Sequence, residues 1–342
     1  MTQYDIVYVT DIASTTSGGN KFFVELAAEM AKHFRVAMVT GRVTSEARRI
    51  LAGVDVYSGE IYHNCELPHR CPMNAVKFFI YTLKVLTTIK FDILHTNSHL
   101  PNFLAYLWPK KTLCTIHHLE TREAHPLVDI VQWLEIKAPK LALHSPLKLT
   151  KHSVSIPPIL HFSTPKIQRK VEKGLVVMIG RLEARKNYPT ALIAFAVARR
   201  LRPDLRLVIV GNGPEREKIL QIIHKLKIAE AVKIISNISD VEKNELLSRA
   251  EMFLHLGRPE GFSLAVFEAL SLGIPVIAHR EVPAATLFKL PNVSLVDLHV
   301  ADIARHLVNP PPPGRPLRGE LDVSRLYLKL YLKLKQSIFG CS

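Results

Sequence analysis

Cysteine is scarce. The 342 residues contain 4, Cys65, Cys71, Cys114 and Cys341, too few to staple a chain of this length, so a disulfide-scaffolded miniprotein is excluded. No apolar run approaches the roughly 18 residues that a membrane-crossing helix needs, and Met1 leads into the strand-like Tyr4-Asp-Ile-Val-Tyr-Val-Thr10 with no basic-then-apolar leader. A cytoplasmic chain is the expectation. Gly-x-Gly-x-x-Gly is missing, and no loop ends in Gly-Lys-Ser/Thr, which weakens dinucleotide-binding and P-loop readings. Acidic residues are outnumbered, 30 against 45 Lys+Arg, leaving a net charge of +15. Such an excess favours polyanionic partners: nucleic acid, an anionic membrane surface or a phosphorylated substrate.

What is plentiful is apolar side chain, 48% of the composition, enough to fill the two cores that this length suggests. Short apolar runs at 6–9, 36–40, 93–95 and 113–116, then at 175–179, 205–210, 232–235, 252–256 and 275–278, read as strands. Between them apolar residues recur at helical spacing, as in Phe22, Phe23, Leu26 and Met30 or Ile219, Ile222, Ile223 and Leu226. Strand and helix in alternation predict parallel sheets covered by helices on both faces. The alternation lapses around Pro157, Pro158 and Pro165, which places a domain boundary there; a second break is the proline run at 309–316.

The richest segment is Arg258-Pro-Glu260-Gly-Phe-Ser-Leu-Ala-Val-Phe-Glu268, which follows one apolar strand and leads to another. Glu260 and Glu268 are eight residues apart, which at ~100° per residue puts them within about 80° of one helical face. Between them the amides of Gly261, Phe262, Ser263 and Leu264 open a helix, a natural anion site. Upstream, Gly180-Arg181-Leu-Glu-Ala-Arg185-Lys186 follows the strand at 175–179, where open parallel sheets bind ligands, and its cations suit a diphosphate. Arg185 is expected to face solvent. Gly211-Asn-Gly-Pro-Glu215 after the next strand reads on its own as a tight strand-to-helix turn, while Gly18-Gly19 after the first reads about equally as a ligand loop or a plain turn. His95, His117 and His118 stand at strand ends in the first half, as sugar or phosphate contacts or as structural histidines. His63, Cys65, His69 and Cys71 crowd four soft ligand types into nine residues, whereas zinc sites separate two pairs in sequence; a surface loop or a Cys65–Cys71 disulfide is the competing reading, and no metal is assigned.

Together Gly18-Gly19, Thr115-Ile-His117, Gly180-Arg181 with Lys186, Gly211-Asn-Gly-Pro-Glu215 and the Glu260 to Glu268 segment resemble the retaining glycosyltransferases of family 4, within the group 1 glycosyl transferases. The resemblance runs from the first strand to the last helix and is strongest over 175–280. It implies the GT-B fold: an N-terminal Rossmann-like acceptor domain over 1–163, a nucleotide-sugar domain over 164–319, and a final helix, 320–342, crossing back to the first. It also implies transfer of a sugar from a nucleotide diphosphate donor, such as GDP-mannose or UDP-glucose, to a polar or lipid-linked acceptor, with no cofactor. By the resemblance, Arg181 and Lys186 bind the diphosphate. Glu268 holds the ribose, while Glu260 and the amides of Gly261, Phe262, Ser263 and Leu264 orient the sugar. Gly18 and Gly19 lie near the phosphates and acceptor, and His117 touches the sugar ring. No Asp-x-Asp pair is present to clamp a diphosphate through a metal, so fixed cations serve instead. The sequence departs from the family where Leu256-Gly-Arg258-Pro replaces the usual Pro-Ser and where His279-Arg-Glu follows the next strand.

Other readings stay open: an epimerase or phosphorylase on the same scaffold, or a basic nucleic-acid or anionic-surface binding protein. The resemblance favours a nucleotide sugar as partner and no nucleic acid. Aromatic, leucine and lysine residues at 73–90 fit either core packing or peripheral contact with the inner face of the cell membrane.

Overall fold

Ile6, Val7, Tyr8 and Val9 are apolar on both sides of the pleat, and the strand they belong to, β1 (Gln3–Ala13), is buried from Ile6 onward. A strand covered on both faces belongs inside a parallel sheet. The computed structural model describes residues 1–16, 18–63, 71–97, 99–109, 112–116, 141–143, 153–157, 168–287, 289–316 and 323–339. The chain divides into two units, Met1–His161 with Leu321–Ser342, and Phe162–Glu320.

In the first unit β1 is joined by β2 (Val36–Val43), β3 (Asp55–Ser58), β4 (Lys90–Asn97), β5 (Thr112–Ile116), β6 (Leu141–Leu143) and β7 (Ser153–Ser155). Their order is β3-β2-β1-β4-β5-β6-β7, every pairing parallel, with Ile6 opposite both Val36 and Ile93. Helices α1 (Gly18–Met30) and α2 (Ser45–Ile50) bury Phe22, Phe23, Leu26 and Ala47 in one core with Ile6 and Tyr8. Helix α3 (Pro72–Thr88) places Phe78 and Leu86 in another core with Val7 and Val9. Successive strand residues point to opposite faces, so α1 and α3 cover the two sides of one sheet.

The second unit repeats the scheme. Strands β8 (Leu175–Ile179), β9 (Arg206–Val210), β10 (Val232–Ile235), β11 (Met252–His255), β12 (Val276–His279) and β13 (Val293–Val296) are ordered β10-β9-β8-β11-β12-β13, again all parallel. Around them run α4 (Tyr188–Leu201), α5 (Arg216–Lys225), α6 (Asp240–Arg249), α7 (Leu264–Ser271) and α8 (Val300–Val308). Local signals mark their ends: Pro189 lies in the first turn of α4, and Ser239 with Glu242 forms a capping box on α6. The main core of this unit joins Val176, Leu192, Phe195, Ile209 and Leu254 with Ile303 and Leu307 of α8.

The last described element, α9 (Val323–Phe339), belongs to the first unit. Tyr327 and Tyr331 are fully buried. The Tyr331 hydroxyl lies 2.8 Å from that of Tyr8 and 2.6 Å from His95 Nδ1, while His95 Nε2 is 2.6 Å from Thr115 Oγ1. Lys335 adds ion pairs to Asp5 and, at 3.1 Å, to Asp92. Of the two readings open for His95, sugar or phosphate contact and structural histidine, the structure shows the second: it is a buried core group. No helix among the described residues is long and apolar enough to cross a membrane. Sequence periodicity passes over β3, β6, β7 and β13, which are edge strands or lie next to one and are only three or four residues long.

Candidate active site

In the second sheet the chain order reverses direction between β8 and β11. Connections there leave toward opposite sides, and the crevice beyond the strand ends is where open α/β sheets bind ligands. The loop after β8 carries Lys186 and the loop after β11 carries Glu260. Two hydrogen bonds tie the loops together: Asn187 Nδ2 donates to the Leu256 carbonyl at 2.8 Å, and the Arg258 amide donates to the Arg185 carbonyl at 2.8 Å. Asn187 does this from the left-handed conformation, φ 55°, which asparagine tolerates better than most residues. Tyr188, the next residue, donates to the Gly180 carbonyl at 2.9 Å.

Lys186 and Glu260 are both largely buried, and the ammonium donates directly to Glu260 Oε1. The same oxygen lies 3.2 Å from Nε2 of His255, at the end of β11, and 3.6 Å from Nη1 of Arg185. Ser263 Oγ is 3.3 Å from that His255 nitrogen. Gly257 lines the cluster because nothing larger fits: a Cβ there would stand 2.4 Å from Glu260 Oε1 and 2.9 Å from His255 Nε2. The Leu256-Gly-Arg258 departure noted in the sequence thus leaves room for a histidine and a carboxylate side by side.

Burial works against charge at Glu260, but the hydrogen bond and charge of His255 and the charge of Lys186 overcome it and hold the carboxyl at about 2. Burial lowers the pKa of His255, with Glu260 opposing, and lowers that of Lys186 with the same opposition. A folded-state value below the ordinary 4.5 means stability that is fully present above pH 4.5 and drains away as pH falls toward 2. Glu260→Gln should remove on the order of 2–3 kcal/mol of that acid dependence, seen as a flatter profile of unfolding free energy against pH. A profile unchanged by the substitution would mean that the carboxylate is not held by its neighbours.

Arg181 is 62% exposed and pairs with Glu183 at 3.0 Å. Arg185, expected to face solvent, is exposed, with 40% of its side chain accessible, while its guanidinium also reaches the β11 loop: beside its contact with Glu260 it donates to the Pro259 carbonyl at 3.2 Å and to Glu183 at 2.9 Å. The reason is the 3-10 turn at Ala184–Lys186, which carries two successive cations toward the β11 loop. Glu268 sits in α7, where Oε1 accepts from Lys243 of α6 at 2.9 Å. Burial opposes the charge on Lys243, yet Glu268 and Asp240 move its pKa up. Glu260 does not share a helical face with Glu268, because α7 begins only at Leu264, after Ser263 at φ 72° has broken the helical path. Helical periodicity has no meaning across that break.

Gly261, Phe262, Ser263 and Leu264 do lead into the helix as expected. The Phe262 ring is buried 6.0 Å from that of Phe267, and its carbonyl accepts from the Ala284 amide at 3.0 Å, which fixes the turn. Gly18 and Gly19 open α1 in the first unit. His117 lies outside the described residues, as do His118, Cys65 and His69. Cys71 is in a disulfide and so offers no thiolate, and His63 faces Glu60 at 3.8 Å. Among the described residues no three His, Cys, Asp or Glu come together as metal ligands. His255 escaped the sequence reading, although it is the last residue of β11.

Residues 162–290 match the family described as Glycosyl transferases group 1. The phosphatidyl-myo-inositol mannosyltransferase of Propionibacterium freudenreichii is 30% identical over 110 residues, 31% of this chain and 26% of that enzyme. The aligned stretches span about a third or less of the curated relatives' lengths. Among solved structures, sucrose-phosphate synthase from Thermosynechococcus elongatus matches over 100% of both chains, with a TM-score of 0.73 at 16% identity. WaaG, a glycosyltransferase involved in lipopolysaccharide biosynthesis, matches over 98% of this chain and 100% of its own, with a TM-score of 0.69 at 15% identity. The chain accordingly has two parallel-sheet, Rossmann-like domains of the GT-B type, and residues 162–290 of the second match the group 1 glycosyl transferase family.

Proposed function

We propose that the protein is a retaining glycosyltransferase that moves a sugar from a nucleotide diphosphate donor to an acceptor hydroxyl without a metal. The observation that carries this reading is the buried Lys186–Glu260 pair at the β8/β11 switch point, inside the matched domain. Lys186 and Arg181 meet the diphosphate and stabilise charge as the bond from the anomeric carbon to the phosphate oxygen breaks. Glu260 and the amides of Gly261, Phe262, Ser263 and Leu264 orient the sugar, and Glu268 holds the ribose. Roles for Gly18, Gly19 and His117 rest on the resemblance alone. The acceptor oxygen bonds to the anomeric carbon on the face the leaving group departs, and its proton passes to the freed phosphate oxygen.

A panel of nucleotide sugars, including GDP-mannose and UDP-glucose, should contain one that raises the melting temperature and is hydrolysed or transferred. Glu268→Ala should weaken its binding at least about tenfold, the loss of one charge-assisted hydrogen bond. A panel in which no donor is bound or turned over defeats the reading. Product NMR that shows an epimerised nucleotide sugar, or cleavage that requires phosphate, replaces transfer with epimerase or phosphorylase chemistry.

A further inference from the structure

Glu260 uses its carboxyl oxygens unequally. Oε1 takes the Lys186 ammonium, Nε2 of His255 at 3.2 Å and Nη1 of Arg185 at 3.6 Å, whereas Oε2 meets no donor among the described residues. One oxygen is anchored and the other is presented. The anchors differ in kind: Lys186 hangs by a long flexible stem from a loop, and Arg185 is exposed and more distant. His255 is the last residue of β11, its backbone in register with Ala278 of β12 and its side chain only 5% exposed. Its ring lies nearly parallel to that of Phe253, with centroids 6.4 Å apart. A carboxylate can only accept, so the His255 nitrogen facing it carries the proton. Burial favours the neutral ring, which has one such proton to give, and Ser263 Oγ at 3.3 Å is the weaker acceptor for it.

We propose that His255 is a positioning residue: it holds Glu260 Oε1 from a rigid strand, so that Oε2 stays presented to a hydroxyl of the transferred sugar while Lys186 turns from Glu260 to the donor diphosphate. The inference rests on the transferase reading and gives it a division of labour. In the empty site Lys186 is committed to Glu260, and one ammonium cannot stay in full contact with that carboxylate and also meet a diphosphate. When it turns, a carboxylate whose side chain is 7% exposed must keep another donor or follow the lysine. His255 is that donor. A group fixed on a strand keeps its geometry better than one on a loop, and Gly257 leaves the space in which ring and carboxylate meet. Without His255, Glu260 would either restrain Lys186 or be drawn with it away from the sugar. Binding of the nucleotide would survive, and transfer would not.

His255→Met and His255→Gln in the full chain test it, because the two side chains have similar stems and only glutamine returns an N–H to Glu260. UDP-glucose and GDP-mannose serve as donors, and UDP and GDP as the sugar-free ligands. His255→Met should lower kcat at least about tenfold, the loss of one hydrogen bond to a charged group, with binding of UDP or GDP changed by less than about twofold. His255→Gln should recover most of the lost kcat. A second measurement needs no substrate. Neither variant titrates at 255, and both keep Lys186 and Arg185 beside Glu260, so the unfolding free energy between pH 4.5 and 2 compares the hold on Glu260 directly. It should fall more steeply with acid in the glutamine variant than in the methionine one. Equal acid profiles, equal kcat in the two variants, or a loss of UDP or GDP binding as large as the loss of kcat would overturn the proposal. If the unchanged chain turns over no nucleotide sugar of the panel, it is the transferase reading that fails, and the acid profiles still decide whether His255 anchors Glu260.

Discussion

Lys186→Met should reduce donor-dependent turnover by about 10²- to 10³-fold, the usual consequence of removing one fixed group that meets developing charge. The stem of the side chain is kept, so packing against the β11 loop survives while the ammonium is lost. The same change leaves Glu260 buried with His255 and a more distant Arg185 as its polar neighbours, at a stability cost of about 3 kcal/mol. A double variant separates the two effects. In Lys186→Met/Glu260→Gln both charges are gone, and the amide can still meet His255 and Ser263. Stability should return most of the way, because removing both members of a buried pair costs far less than removing one. Turnover should stay low. If the double variant recovered turnover together with stability, Lys186 would be a structural cation and its role at the diphosphate would be lost.

Tyr331→Ala should have the largest effect on stability, about 4–5 kcal/mol of the first unit's unfolding free energy. The ring is fully buried among Phe34, Tyr8 and His95, and its hydroxyl bonds to both Tyr8 and His95 Nδ1. Tyr331→Phe keeps the ring and deletes only the hydroxyl, for about 1–3 kcal/mol. Denaturant unfolding followed by probes in each unit would check both values. The transition of the second unit should stay in place. Equal costs for Ala and Phe would show that the hydroxyl network, rather than ring burial, holds α9 down.

The sequence is most legible where a strand is long and doubly buried. The apolar run at 175–179 coincides with β8, which lies between β9 and β11, since a covered parallel strand writes its limits as a change from apolar to polar; the run at 232–235 coincides with the edge strand β10, which is only partly covered. The edge strand β3 does not: Asp55-Val-Tyr-Ser is half covered and carries no pattern beyond two alternating residues. In the site, the start of α7 and the presence of Glu260, Glu268 and Lys186 were readable because turn glycines and helix caps are local. What escaped was their arrangement. That Lys186 reaches Glu260, that Arg185 comes within 3.6 Å of it and that His255 completes the cluster depend on two loops more than 60 residues apart being laced by Asn187 and Arg258, and that Glu268 goes to Lys243 depends on α6 and α7 meeting. No spacing rule encodes such a lacing.

The return of α9 to the first unit bears on synthesis. Tyr8 leaves the ribosome more than 300 residues before the Tyr331 it bonds, and at ~5–20 residues per second that interval is roughly 15–65 s. The second unit, contiguous between Phe162 and Glu320, is complete while the first still lacks one wall of its core. A nascent chain should therefore present Phe22 and Ile6 to chaperones for most of its translation. Substitutions in α9 should lower the yield of folded protein in the cell more than they lower the stability of the finished molecule.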